Sequence, residues 1–212
     1  MLKVKAFVFN PIQENTYLLY NEKCKCSTID ACCYYPEERD TLDSFIEKTG
    51  LQCKLLLNTH CHLDHVFGNK YVAEKYGLKL HINAKEKQLL DLAPASGLMY
   101  NLPFDNYMGA IEYLPDTGKI LFEEAELQII FTPGHSPGHL SFYHKEAGFV
   151  ISGDALFNRS IGRTDLPGGD FDTLVNSIRK NLFVLPTETI VYSGHGPVTT
   201  IGEEKRENPF LC

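Results

Sequence analysis

Residues 59–65 read Thr59-His60-Cys61-His62-Leu63-Asp64-His65, three imidazoles and a carboxylate directly after the apolar run Lys54 to Leu57. Neutral imidazole nitrogen and carboxylate oxygen are donors that a borderline divalent ion such as zinc prefers. The backbone between the four groups is short and stiff, so one ion does not easily reach them all. Two ions about 3.5–4 Å apart can use them in alternation. The segment therefore points to a two-metal catalytic centre whose other ligands lie elsewhere in the chain.

Three further positions share one local grammar of strand, glycine, then a ligand-type residue. They are His135 in Thr132-Pro133-Gly134-His135, Asp154 in Ile151-Ser152-Gly153-Asp154, and His195 in Tyr192-Ser193-Gly194-His195. Loops at strand ends are where a rigid sheet can converge catalytic groups. Each position alone reads equally as a turn or core residue; the case rests on their conjunction with the dense cluster. Of the other histidines, His81 and His144 read as ordinary surface or strand residues. His139 has two readings, a hydrogen-bond partner behind His135 or a purely structural residue. Cys61 sits between two ligands and should point away from them, into packing.

The elements that must hold these groups follow from periodicity. Leu2 to Phe9 alternates, with Leu2, Val4 and Ala6 opposite Lys3 and Lys5, and reads as a half-buried strand paired with Thr16 to Tyr20. Ser27 to Asp30 and Lys54 to Leu57 read as short strands, the second delivering the chain to His60. Pro36 to Lys48 has helical spacing with Gly50 as its stop. Val66 to Tyr76 reads as one helix closed by Gly77, Leu78 to Ile82 as a strand, and Ala84 to Leu92 as a helix. The stretch from Ala93 to Pro115 reads as irregular, either a substrate-facing lid or a plain surface connection. Beyond it come strands at Ile120 to Phe122, Leu127 to Phe131, Leu140 to His144 and Phe149 to Ser152. A helix over Phe171 to Leu182 and a last strand over Thr189 to Tyr192 follow. Two strand-rich halves with helices are consistent with two packed sheets covered outside by helices, an α/β architecture.

Length and composition bound the rest. A chain of 212 residues, 43% of them hydrophobic, fits one globular domain over 1–212, with 203–212 as a short C-terminal tail. The net charge of −7 disfavours a nucleic-acid partner. No run reaches the length of a membrane span, and the N-terminus lacks the features of a signal peptide. The seven cysteines, odd in number and irregular in spacing, read as free thiols in a reducing compartment, and a cytoplasmic protein is expected. Cys24, Cys26, Cys32 and Cys33 lack paired C-x-x-C knuckles; a metal site there competes with the reading of small buried hydrophobes.

Taken together, His60-x-His62-x-Asp64-His65, His135, Asp154 and His195 resemble the metallo-β-lactamase superfamily, and within it the glyoxalase II-like branch. The likeness runs from Asn15-Thr16-Tyr17 to Asn208-Pro209-Phe210. It implies a four-layer αββα sandwich with the metal site at one edge of the two sheets. It implies that His60, His62 and His135 hold one divalent ion, that Asp64, His65 and His195 hold a second, and that Asp154 bridges both. Zinc is the first expectation; iron and manganese suit the same donors. A bridging aspartate in this place also sets the chain apart from true β-lactamases.

The expected reaction is hydrolysis of a small-molecule thioester, a hydroxyacyl thiol giving a 2-hydroxy acid and a thiol, by a metal-bridging hydroxide that Asp64 orients as the catalytic carboxylate. A thiol with a pKa of roughly 8.5–9 leaves without a dedicated general acid. The chain lacks most of the separate helical domain of full-length glyoxalase II, which leaves the thiol carrier open. Arg163, Lys205 and Arg206 are candidates to grip a substrate carboxylate; for Arg163 the competing reading is an internal salt bridge with Asp165 or Asp170. A rival class is a mononuclear-iron persulfide dioxygenase of the same superfamily, held by His60, His135 and Asp154. A third is a metal-stabilised scaffold without catalysis. The form Ser193-Gly194-His195-Gly196-Pro197 resembles the hydrolases more than the dioxygenases.

Overall fold

Each ligand-type residue follows a strand, so the strands fix where the chemistry can occur. The computed structural model describes residues 2–123 and 125–211, and the chain forms two compact units. The first comprises Met1–Ile82 and Lys87–Leu114; the second comprises Asn83–Glu86 and Pro115–Cys212.

The first unit is built on a six-stranded sheet. Its strands, in spatial order, are β1 (Lys3–Phe9), β2 (Glu14–Tyr20), β3 (Lys25–Ile29), β4 (Gln52–Leu57), β5 (Leu80–Asn83) and β6 (Ile111–Leu114). β1, β2 and β3 pair antiparallel; β3, β4 and β5 are parallel. The parallel pairing has a functional consequence. Asp30 at the end of β3 and the 58–65 segment after β4 leave the sheet from the same edge.

The strand expected at the N-terminus is present and Leu2, just ahead of it, is buried as expected, but within the strand the buried face is not that of Val4 and Ala6. Ala6 is exposed, while Phe7 and Phe9 are buried. Two aromatic rings remove more apolar surface from water than Val and Ala can. Lys5 shares their face by carrying its ammonium 5.2 Å over the Phe7 ring, in solvent.

Helix α1 spans Pro36–Lys48 as the sequence indicates. Its Glu38 carboxylate accepts the backbone N–H groups of Asn10, Tyr34 and Tyr35 at 2.6, 2.8 and 3.0 Å. The helix expected over Val66 to Tyr76 is two: α2 (Leu63–Val66) and α3 (Asn69–Tyr76). The break lies at Gly68, whose N–H donates to the Ala31 carbonyl at 2.7 Å. A Cβ there would lie 2.5 Å from Cys33 Sγ and 2.8 Å from that carbonyl oxygen, so only glycine lets the backbones approach.

The stretch expected to be irregular from Ala93 is partly helical. After a 3₁₀ turn at Ala84–Glu86, α4 runs Lys87–Met99 through Pro94. Proline lacks the N–H that would bond the Leu90 carbonyl. That carbonyl instead accepts from Asn106 Nδ2 at 2.7 Å, so it is not left unsatisfied. The apolar core of this unit gathers Leu18, Leu42, Leu56, Val72, Leu80 and Ile82 among others.

The second unit has its own six-stranded sheet, in the order β14 (Thr199–Thr200), β13 (Ile190–Ser193), β10 (Phe149–Gly153), β9 (Leu140–His144), β8 (Ala125–Phe131), β7 (Gly118–Phe122). β10 and β13 are parallel; β8, β9 and β10 alternate in direction. Thus β8, β10 and β13 all run the same way. A small hairpin, β11 (Leu156–Phe157) with β12 (Ser160–Ile161), follows β10. Helix α5 (Phe171–Ser177) is capped by Asp170, which accepts from Thr173 N at 2.7 Å, and passes into a π-helical turn over Ile178–Leu182. The stretch expected as a tail contains most of α6 (Ile201–Glu207), with Glu204 and Asn208 wholly buried. Leu156, Leu174, Ile178, Leu182 and Val191 centre this unit's core. No helix among the described residues is long and apolar enough to cross a membrane.

Candidate metal-ligating groups in each unit

In the first unit, β4 ends at Leu57 and the chain turns into the histidine segment. Asp30, 1% exposed, holds that turn: its carboxylate accepts Thr59 N on Oδ1 and Thr59 Oγ1 on Oδ2, each at 2.7 Å. Asn58 Nδ2 donates to the His65 carbonyl at 2.7 Å, and Asn10 Nδ2 to the Asp64 carbonyl at 3.1 Å. The backbone from 58 to 65 is therefore tied at three points by buried side chains.

The result is a cluster of imidazoles. The His60 ring centroid lies 4.8 Å from that of His62 and 4.0 Å from that of His65. His65 Nε2 lies 4.0 Å from Asp64 Oδ2. His60 and His65 are wholly buried and Asp64 is nearly so.

The hydrogen bonds assign the ring protons. Thr59 donates its hydroxyl hydrogen to Asp30 Oδ2. Its oxygen, 3.1 Å from His60 Nδ1, is then left to accept, so Nδ1 carries the proton and His60 Nε2 carries a lone pair. A lone pair on Nε2 is what a metal ligand requires.

The second unit repeats the logic. His135, Asp154 and His195 follow β8, β10 and β13, three strands of one direction, and Gly194 N donates to Gly153 O at 2.9 Å to join the last two loops. Asp154 Oδ2 lies 3.5 Å from His135 Nε2 and 3.6 Å from His195 Nε2. His135 Nδ1 donates to the Arg163 carbonyl at 2.7 Å. In the neutral ring this puts a lone pair on Nε2, facing a carboxylate oxygen. Two acceptors in that position repel unless a cation lies between them. The donors present thus fit a divalent ion.

Two residues that the sequence did not single out hold the second set in place. Glu86, wholly buried, accepts Ser136 Oγ at 2.8 Å and Gly138 N at 2.6 Å, which fixes the loop carrying His135. Gly162 permits the close approach of the Arg163 carbonyl: a Cβ there would lie 1.9 Å from the Asp154 carbonyl oxygen and 2.8 Å from His135 Nδ1. Glu86 lies fifty positions from Ser136, beyond any local pattern. Asp30 left a fainter mark, an acid closing the buried strand Ser27-Thr28-Ile29.

The structure therefore brings His60, His62, Asp64 and His65 together in one unit, and His135, Asp154 and His195 together in the other. His139 partners Asp154, and its ring stands edge-on to that of His135 with centroids 6.1 Å apart. Its Nε2 accepts the Asp154 N–H at 3.1 Å and its Nδ1 lies 2.8 Å from Thr132 Oγ1. Cys61 is 1% exposed and belongs to the first core. His144 is buried in β9, stacked on Phe149, and His81 lies on β5 with Nδ1 3.1 Å from Leu56 O. Arg163 makes the paired contact read as its alternative, Nε and a terminal nitrogen each 2.7 Å from Asp165, and this guanidinium holds the Asp165 carboxyl down at about 2. Lys205 and Arg206 are exposed on α6, with the Lys205 ammonium 5.8 Å over the Phe183 ring.

Comparison with known proteins places the chain in a family. Residues 11–195 match the family model of the metallo-β-lactamase superfamily, so the chain belongs to that superfamily and has its fold. It is accordingly a metallo-hydrolase by family, from a group that binds divalent metal ions. The hydroxyacylglutathione hydrolase GloC of Haemophilus influenzae is 35% identical over 99% of this chain and 98% of its own. The crystal structure of the BLEG-1 B3 metallo-β-lactamase superposes with a TM-score of 0.91 at 35% identity, covering 100% of this chain and 99% of its own. That of TTHA1623 in a di-iron-bound form gives 0.89 at 37%, covering 98% and 100%.

Proposed function

We propose that this protein is a binuclear, metal-dependent thioesterase of the glyoxalase II type, converting a hydroxyacyl thioester to a 2-hydroxy acid and a thiol. The observation that carries the reading is the position of Asp154 Oδ2, within 3.6 Å of the Nε2 atoms of both His135 and His195. A carboxylate so placed suits a bridge between two cations. In the proposed assignment His60, His62 and His135 would hold one ion, Asp64, His65 and His195 the other, and Asp154 would serve both. The GloC relative, similar over nearly its whole length, supports the substrate class.

When bound, two divalent cations acidify water to give a nucleophile at neutral pH and polarise a carbonyl. The chain's own residues supply the rest. Asp64 orients the attacking water by accepting its hydrogen bond. The Nδ1 ties of His60 and His135 keep their rings from turning, so the donors need no reorganisation during reaction. The leaving thiol departs as thiolate and asks for no general acid. Arg163 grips the substrate carboxylate by exchanging it for Asp165, with Lys205 and Arg206 as further cationic contacts. Zinc is the proposed metal, with iron and manganese suited to the same donors. The free cysteines suit a reducing cytoplasm.

Turnover of a panel comprising hydroxyacyl and simple acyl thioesters, β-lactams and a glutathione persulfide, with zinc, iron or manganese supplied, tests this reading. Thioester hydrolysis with no oxygen uptake is expected. Oxygen consumption with the persulfide, or β-lactam opening without thioester cleavage, would overturn it.

A further inference from the structure

We infer that Glu14 is a positioning residue for His65, acting with Asp30 to fix which ring nitrogen of that imidazole faces a cation. The inference rests on the metal reading above and concerns a carboxylate outside the proposed ligand set. Glu14 opens β2, paired with Phe9 on β1, and is 0% exposed. Its Oε1 lies 3.3 Å from His65 Nδ1, and Asp30 Oδ2 lies 3.2 Å from the same nitrogen. His65 is itself 0% exposed, and its Nε2, on the far side of the ring, lies 4.0 Å from Asp64 Oδ2.

Two buried carboxyl groups from different strands thus converge on one ring nitrogen. Asp30 receives two donors from Thr59 and so acts as an acceptor. The two oxygens beside Nδ1, near it without a hydrogen bond of good geometry, favour the ring form with the hydrogen on Nδ1, which leaves the lone pair on Nε2. Glu14 adds a second oxygen beside the same nitrogen.

Asp30 alone would leave the ring held from one side, by an oxygen it already shares with Thr59. Glu14 brackets the N–H from the neighbouring strand. Turning the ring over would put a carbon where Nδ1 now meets two oxygens. It would set a C–H against both carboxyl groups in a site sealed from water, where losing a polar neighbour is expensive. Carboxylates behind metal-bound imidazoles typically change metal affinity 10–100-fold.

The test has two readouts besides activity. In ¹⁵N-labelled metal-free protein, long-range ¹H–¹⁵N correlations should show His65 as the Nδ1–H tautomer, both in wild type and in Glu14→Gln, whose amide oxygen still accepts. Glu14→Leu should give a mixture of tautomers. In zinc titrations against a competing chelator, Glu14→Leu should weaken one binding step 10–100-fold and leave the other within about threefold. Glu14→Gln should stay near wild type. An Nε2–H tautomer in wild type would overturn the inference, and so would a folded Glu14→Leu that binds both ions with wild-type affinity. Should Glu14→Leu fail to fold, Glu14→Ala takes its place in both measurements, with the same expected and overturning results. Wild-type protein that takes up no zinc would sink the metal reading instead, and the tautomer measurement would judge Glu14 separately.

Discussion

His135 Nδ1 lies 2.7 Å from the carbonyl oxygen of Arg163, twenty-eight residues along the chain. In the neutral ring the contact leaves the lone pair on Nε2, and it uses the backbone of Arg163, not its charge. An Arg163→Ala variant should therefore keep the metal site, whereas any change that pushes this backbone away should damage it.

Gly162→Ala makes that change. The new methyl would fall 1.9 Å from the Asp154 carbonyl oxygen, so the loop must move. A loss of about 1–3 kcal/mol in unfolding free energy is expected, typical of a group forced into a packed site. Weaker metal binding should accompany it. Urea unfolding of the metal-free protein checks the first part and chelator competition the second.

Thr59→Val keeps the shape and deletes the hydroxyl that links Asp30 to His60. Asp30 loses one donor, and His60 Nδ1–H loses its acceptor. Destabilisation of about 1–3 kcal/mol is expected from buried polar groups left unmatched. Thr59→Ser should restore most of it. Melting curves of the three metal-free proteins make the comparison.

His144 gives a pH dependence unrelated to metal. Burial in β9 pushes its pKa below the ordinary histidine value of 6.5, Glu146 opposing this more weakly. Its Nδ1 accepts the Ala147 N–H at 3.0 Å, a bond that protonation would remove. The unfolded chain therefore binds the proton first as pH falls. Well above 6.5 both states are neutral at this site and it contributes no slope. Below 6.5, stability falls with falling pH until the folded-state pKa is passed. Replacing it by Phe should flatten this part of the stability profile, measured by denaturant unfolding from pH 7 to pH 5.

The thiols should divide by burial. Cys24 is exposed, whereas Cys26, Cys32, Cys33, Cys53 and Cys61 are buried. Burial raises the Cys33 thiol to about 12, which keeps it a poor nucleophile at neutral pH. Brief alkylation of native protein, read by peptide mass mapping, should label Cys24 and spare those five. Cys212 lies outside the described residues.

Much of the fold was legible because its strands carry local signals. Leu140 to His144 and Pro36 to Lys48 matched to the residue, since apolar runs and helix stops are written within a few positions. The break at Gly68 and the helix through Pro94 were not legible. Each depends on a partner distant in sequence, Cys33 and Asn106 respectively. The same divide runs through the candidate site. Ligand-type residues announce themselves by type and spacing. Glu14, Asp30 and Glu86 are common acids whose meaning appears only when burial shows what they face.

Metal stoichiometry tests the central claim most directly. Metal-free wild-type protein dialysed against zinc and then analysed by mass spectrometry of the elements should hold close to two ions per chain. Asp154→Ala, checked for folding by circular dichroism, should retain one or fewer. Wild-type protein that never exceeds one ion at saturation, or an Asp154→Ala variant that still holds two, would contradict the account.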